Sequence, residues 1–132
     1  LLIGVSTHSA AEARKAEKGG ADFITVGPVY RTPLKLKYGR PLGIETLRRV
    51  CRRANIPVFA IGGIKRKRVR DVVGAGAWGA AMISGIFRAE DIQKKVREIT
   101  ITMEGSKSAY MRSCFLTAHV LHNDRRKDHD KN

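Results

Sequence analysis

Four short apolar runs alternate with four stretches of helical periodicity, and this alternation constrains the chain more than any other feature of its sequence. Leu1–Val5 is a short continuous apolar run, and Phe23–Val26, Val58–Ile61 and Ala80–Ile83 are short and mainly apolar, with Thr25 the one hydroxyl residue among them, as strands buried in a parallel sheet are. Between them lie helices with recognisable starts and stops. Ser9 followed by Glu12 forms a capping box before an Ala-rich helix that runs to about Lys18, and Gly19-Gly20 ends it. Gly27–Leu42 reads as a loop, because Pro28, Pro33, Gly39 and Pro41 block regular structure. A second helix begins near Gly43. Ile44, Leu47, Val50, Cys51 and Ala54 form its apolar stripe, with Arg48, Arg49, Arg52 and Arg53 mostly outside it. Asn55 and Pro57 stop it. A basic helix carries Val69, Val72 and Val73 inward, and a last helix over Ala89–Thr100 sets Ile92, Val96 and Ile99 on its inner face.

The order βαβαβαβα argues for α/β architecture with a parallel sheet. Gly20-Ala21-Asp22-Phe23-Ile24 and Gly76-Ala77-Trp78-Gly79-Ala80 resemble copies of one unit, each placing a Gly-Ala turn before a strand. Four βα units in about 100 residues amount to half of an eight-stranded (β/α)₈ TIM barrel, which takes roughly 200 residues or more. A doubly wound open sheet is the competing architecture. The expected organisation is therefore a half barrel over residues 1–100 and an irregular tail over residues 101–132. Within the tail, Tyr110–Leu121 could form a helix on Met111, Phe115, Leu116 and Leu121, while Asn123–Asn132 is almost wholly charged or polar and reads as disordered. Among His119, His122 and His129 the three-residue gap between the first two is the only helical spacing, and they do not read as a metal site.

Charge and cysteine content narrow the setting. The net charge is +14, from 26 Lys and Arg against 12 Asp and Glu. Nine basic residues fall between Arg48 and Arg70 with no acid among them. No aromatic residues interleave with the Arg48–Arg53 or Lys65–Arg70 clusters as a base-stacking surface requires. They read as solvated helix faces of a protein with phosphate substrates, not as a nucleic-acid surface. No run of about 18 apolar residues suggests a membrane span, and Leu1–Val5 is too short for a secretory signal. Cys51 and Cys114 are isolated, and Cys51 falls on an apolar helix face, which suits a reducing cytoplasmic setting. With no initiator Met, the chain is expected to continue upstream of Leu1.

Chemistry in such a fold sits at the C-terminal ends of the strands, and loops after the last two strands often grip phosphate. Here those ends are Gly62-Gly63-Ile64 and Ile83-Ser84-Gly85. Glycine lets main-chain N–H groups approach an anion; the plainer reading is that these glycines only make tight turns. In the loop after the second run, Thr32 offers a hydroxyl and Lys35 an ammonium, both natural phosphate partners. Ser6, Thr7 and His8 end the first strand, and His8 either starts the following helix or faces a ligand.

These residues carry a family resemblance. Gly4-Val5-Ser6-Thr7-His8-Ser9, Gly20-Ala21-Asp22, Gly27-Pro28-Val29-Tyr30, Thr32-Pro33 with Lys35, Pro41-Leu42-Gly43, Ile56-Pro57-Val58, Ala60-Ile61-Gly62-Gly63-Ile64 and Ile83-Ser84-Gly85-Ile86 follow the order of thiamine-phosphate synthase. The resemblance covers about residues 1–100 and identifies the chain as similar to the C-terminal half of that barrel. It implies a transferase that joins a pyrimidine pyrophosphate to thiazole phosphate in thiamine biosynthesis, with Mg²⁺ and loss of pyrophosphate. It implies that Ser6 and Lys35 contact the pyrimidine pyrophosphate, and that Thr32, Gly63, Ile83 and Ser84 hold the thiazole phosphate, the last three chiefly through the main chain. Two positions depart from the family. Leu34, whose position the resemblance also implies to be substrate-binding, stands where the family usually has Thr or Ser and offers no hydroxyl, and Trp78 stands where it has an acid. The family's Mg²⁺ ligands and basic pyrophosphate-binding segment belong to the N-terminal half, so no metal ligand is expected here and the chain alone is expected to be inactive. The related thiazole tautomerase is the alternative, with His8 as its general base, as is a non-catalytic phosphate-binding remnant. Open strand edges are expected to pair with a second copy or with an N-terminal half.

Overall fold

The computed structural model describes residues 1–33 and 39–107. Leu34 and Lys35, the expected helix over Tyr110–Leu121, the three tail histidines, Cys114 and the polar C-terminus lie outside the described residues. Four strands, β1 (Gly4–Thr7), β2 (Phe23–Val26), β3 (Val58–Ile61) and β4 (Gly79–Ala81), form one sheet in the order β1-β2-β3-β4. All three pairings are parallel. A doubly wound sheet reverses its strand order at a switch point, whereas a barrel adds each strand beside the last. The unbroken sequential order is that of half a barrel.

The register divides the strands into two faces. Val5, Thr7, Ile24, Val26, Val58, Ala60 and Ala80 share one face, since Val5 pairs with Ile24, Ile24 with Val58, and Ala60 with both Val26 and Ala80. This face meets the helices, and Ile24, Val26, Val58 and Ala60 are fully buried there. Covering helices are α1 (Ala10–Lys18), α2 (Gly43–Arg53), α3 (Val69–Gly74) and α5 (Ile92–Ser106), which contribute Ala13, Leu47, Val50, Val69, Val72, Val73 and Ile99 to the core. A short α4 (Ser84–Phe87) lies between β4 and α5. Burying each such aliphatic side chain contributes about 1.5–3 kcal/mol, so this face holds the half barrel together.

Gly4, Ser6, Phe23, Thr25, Phe59, Ile61, Gly79 and Ala81 make the opposite face, the one that lines the interior of a closed barrel. Phe23 and Phe59 meet edge to face here, with ring centroids 5.8 Å apart. The Phe59 ring leans over Gly79, where a Cβ would come within 2.9 Å of it. Ser6 is exposed, and Phe23, Thr25, Phe59 and Ile61 are only partly buried.

Three boundaries differ from those expected. The first strand begins at Gly4, and Leu1, Leu2 and Ile3 are exposed. The fourth is Gly79–Ala81, because its ladder ends where Ile61 pairs with Ala81 and Gly62 turns away at φ +98°. The last helix runs to Ser106, with Ile99 buried but Ile92 and Val96 exposed. A helix rises about 1.5 Å per residue, so α3 spans about 9 Å and cannot cover α5, which spans about 22 Å. The buried stripe of α5 is thus Ile99 with Met103 packed beside it.

Candidate functional site at the strand ends

Of the expected site residues, Ser6, Thr32, Gly63, Ile83 and Ser84 lie at or just after the C-terminal ends of the strands, while Leu34 and Lys35 lie outside the described residues. Ser6 lies on the barrel-interior face beside Thr25. Thr7 points to the helix side, where its hydroxyl donates to the Thr25 carbonyl at 2.8 Å. Thr32 is half-buried in the loop after β2, and Ile83 and Ser84 are exposed after β4.

His8 sits at the start of α1. Its backbone N–H donates to the Glu12 carboxylate at 2.8 Å, and its Nδ1 lies 3.2 Å from the same oxygen. Ser9 accepts the Glu12 N–H at 3.1 Å, so half of the expected capping box forms while Glu12 reaches one residue further back. These bonds, the one from the His8 N–H first, hold the exposed Glu12 carboxyl below its ordinary range. His8 is half-exposed and serves the helix start.

Two glycine-rich loops come together after β3 and β4. Gly62 and Gly63 follow β3 at φ +98° and +64°, a region that only glycine enters freely. The loop after β2 presses on them: a Cβ on Gly63 would lie 2.7 Å from the Arg31 carbonyl oxygen and 2.8 Å from Tyr30. Ile64 then meets the loop after β4, where a Cβ on Gly85 would lie 3.0 Å from the Ile64 carbonyl oxygen. Neither Ser84 nor Gly85 has its N–H bonded to another main-chain group among the described residues.

A cleft of about 440 Å³ opens between these loops, lined by Ser84 and Gly85 and by the cations Lys65, Arg66, Lys67, Arg88 and Lys95. Among the described residues Glu98 pairs with two of them, 3.6 Å from Arg66 and 3.8 Å from Lys95. Lys65, Lys67 and Arg88 make no ion pair among the described residues. Free main-chain donors beside surplus positive charge suit an anion, and phosphate in particular. The sequence suggests a solvated outer face for Lys65–Arg70, and in the fold Lys65, Arg66 and Lys67 line this cleft. The cluster begins directly after Gly-Gly-Ile, which is the signal that it belongs at a strand end. A larger cleft, of about 680 Å³, lies between α1 and α2 and is bridged by the Asn55 N–H donating to Glu17 at 2.9 Å. Its lining comes from α1, α2 and the residues just after α2, with Arg14, Glu17, Lys18 and Arg53 among them, and it includes neither glycine loop.

A family model described as thiamine monophosphate synthase matches residues 1–86. The chain belongs to that family. A putative thiamine-phosphate synthase of Geobacter sulfurreducens is 47% identical over 98 residues, 74% of this chain and 46% of that protein. The thiamine-phosphate synthase of Pelotomaculum thermopropionicum is 44% identical over 75% of this chain and 45% of its own length. Among solved structures, the thiamine phosphate pyrophosphorylase from Pyrococcus furiosus superposes with a TM-score of 0.75 at 39% identity, covering 82% of this chain and 51% of that one. An archaeal fructose 1,6-bisphosphate aldolase, at 21% identity and a TM-score of 0.61, shares the fold alone. The chain spans about half the length of the thiamine monophosphate synthase family members it matches.

Mg²⁺ does not fit the residues described. No three His, Cys, Asp or Glu side chains come together among them, and Glu98 is shared by two of the cleft's cations, Arg66 and Lys95. Nor is any described helix long and apolar enough to cross a membrane.

Proposed function

We propose that this chain is the phosphate-gripping half of a thiamine-phosphate synthase, the part that holds thiazole phosphate while a pyrimidine pyrophosphate is joined to it. The observation that carries this reading is the junction of Gly62-Gly63-Ile64 with Ser84-Gly85 beside a cationic cleft, in a member of this family. Gly63 and Ser84 donate through the main chain, Thr32 through its hydroxyl, and Ser6 faces the barrel interior, where the pyrimidine pyrophosphate would lie. Mg²⁺, where the whole enzyme uses it, is held by residues other than those described here. His8, bound to Glu12 at the helix start, gives the tautomerase reading no separate support.

The same reading names a structural partner. β1 and β4 are the sheet edges, and the interior face between them carries half-buried Phe23, Phe59 and Ile61. Four further βα units, from the same polypeptide or a second copy, would pair both edges and cover that face. Calorimetric titration of the chain with thiazole phosphate tests the grip. Weak saturable binding at one site is expected, and no heat beyond dilution at millimolar ligand would overturn it.

A further inference from the structure

Three consecutive carbonyls at the end of β3 are engaged by one neighbouring loop and a side chain stacked on it. The Val29 N–H donates to Ile61 O at 2.9 Å, the Tyr30 N–H to Gly62 O at 3.1 Å, and Arg68 Nη1 to Gly63 O at 2.9 Å. The Arg68 guanidinium lies over the Tyr30 ring, 4.2 Å from its centroid, so all three donors belong to one side. In an extended strand successive carbonyls point opposite ways; the positive φ of Gly62 and Gly63 brings them to the same side.

A trans peptide is planar, with its C=O and N–H opposed. The Gly63 N–H shares a plane with the Gly62 carbonyl, and the Ile64 N–H with the Gly63 carbonyl. Both N–H groups are therefore directed away from Tyr30 and Arg68, together. Adjacent N–H groups on one side form a concavity that suits an anion.

We propose that Arg68 is a positioning residue: bonded to Gly63 O while stacked on Tyr30, it sets the Gly63–Ile64 peptide so that the Ile64 N–H joins the Gly63 N–H as a second main-chain donor to a phosphate monoester. The inference rests on the phosphate reading above and adds to it one donor and the residue that aims it. A guanidinium can stack through its face while donating in its plane, and a lysine ammonium cannot do both. Burial, and after it the nearby Asp71, pushes the Tyr30 hydroxyl above its ordinary range, so the ring under Arg68 stays a neutral phenol.

The test uses the full chain with Arg68→Lys, which keeps the charge, and Tyr30→Leu, which keeps Arg68 but removes its stacking partner. Backbone amide shifts are recorded with and without inorganic phosphate, and a thermal melt accompanies each variant. The expected result is movement of the Gly63 and Ile64 amides in the ligand-free variants, about tenfold weaker phosphate binding, and a melting point close to that of the unaltered chain. Tyr30→Leu still reports on the clamp if Arg68→Lys does not fold. Unmoved Gly63 and Ile64 amides, or full affinity in Arg68→Lys, would overturn the positioning role. No phosphate-induced shift in the unaltered chain would instead overturn the phosphate reading, and the ligand-free shifts would still judge the clamp.

Discussion

Gly85 packs so closely on Ile64 that a Cβ at position 85 would lie 3.0 Å from the Ile64 carbonyl oxygen. The loops after β3 and β4 are therefore one surface, and a ligand held by Ser84 is within the field of whatever Lys65 and Lys67 present. Ser84→Asp is expected to abolish phosphate binding. Two like charges about 4 Å apart cost about 4 kcal/mol at an effective dielectric of about 20. Ser84→Ala keeps the main-chain donors and should leave affinity within about threefold, as surface substitutions do. Calorimetry on the pair checks this, and unchanged affinity in Ser84→Asp would remove Ser84 from the site.

Gly63→Ala should destabilise the chain by about 2–4 kcal/mol, since it combines a left-handed φ with overpacking against Tyr30 and Arg31. Urea denaturation gives the number. A loss below about 0.5 kcal/mol, ordinary for surface changes, would mean that the loop after β2 does not press on the β3 turn as described.

The four-unit order, the parallel sheet and most of the core were legible because each strand falls within or beside a short, mainly apolar run and the helices carry apolar stripes. Leu47, Val50, Val69, Val72 and Val73 are buried as their spacing requires. Ile92 and Val96 were misplaced because their burial depends on the length of α3, a tertiary fact that periodicity does not contain. The Gly-Gly-Ile and Ser-Gly turns were visible as candidate anion loops. The Arg68–Tyr30 stacking was not, because 38 positions separate the two residues and only the sheet register brings them together.

Cys51 should resist alkylation in the folded chain. Burial pushes its thiol up to about 11 from an ordinary value of 9.0, so little thiolate exists at pH 8. The neutral thiol is favoured on folding, so this contribution is whole below pH 9.0 and is lost as pH rises towards about 11. In a Cys114→Ser background, iodoacetamide labelling at pH 8 should accelerate at least tenfold when urea unfolds the chain. Equal rates in both states would place Cys51 outside the core.

Glu12 ties acid sensitivity to the start of α1. Its folded carboxyl titrates below the ordinary 4.5, chiefly through the His8 N–H, so its contribution is present above about pH 4.5 and fades as pH falls through the folded value. Glu12→Gln should melt at a lower temperature than the parent at pH 7, with the gap closing at pH 3. A gap that stays constant with pH would show that the carboxylate charge plays no part.

The central claim is that this chain supplies one half of a synthase barrel and its phosphate grip. The most direct test measures thiamine phosphate formed from thiazole phosphate, pyrimidine pyrophosphate and Mg²⁺, first with the purified chain and then after adding the first four βα units of a full-length family member. The account predicts no turnover from the chain alone and measurable turnover from the mixture. Steady turnover from the 132-residue chain by itself, or none from a mixture that light scattering shows to be a complex, would contradict it.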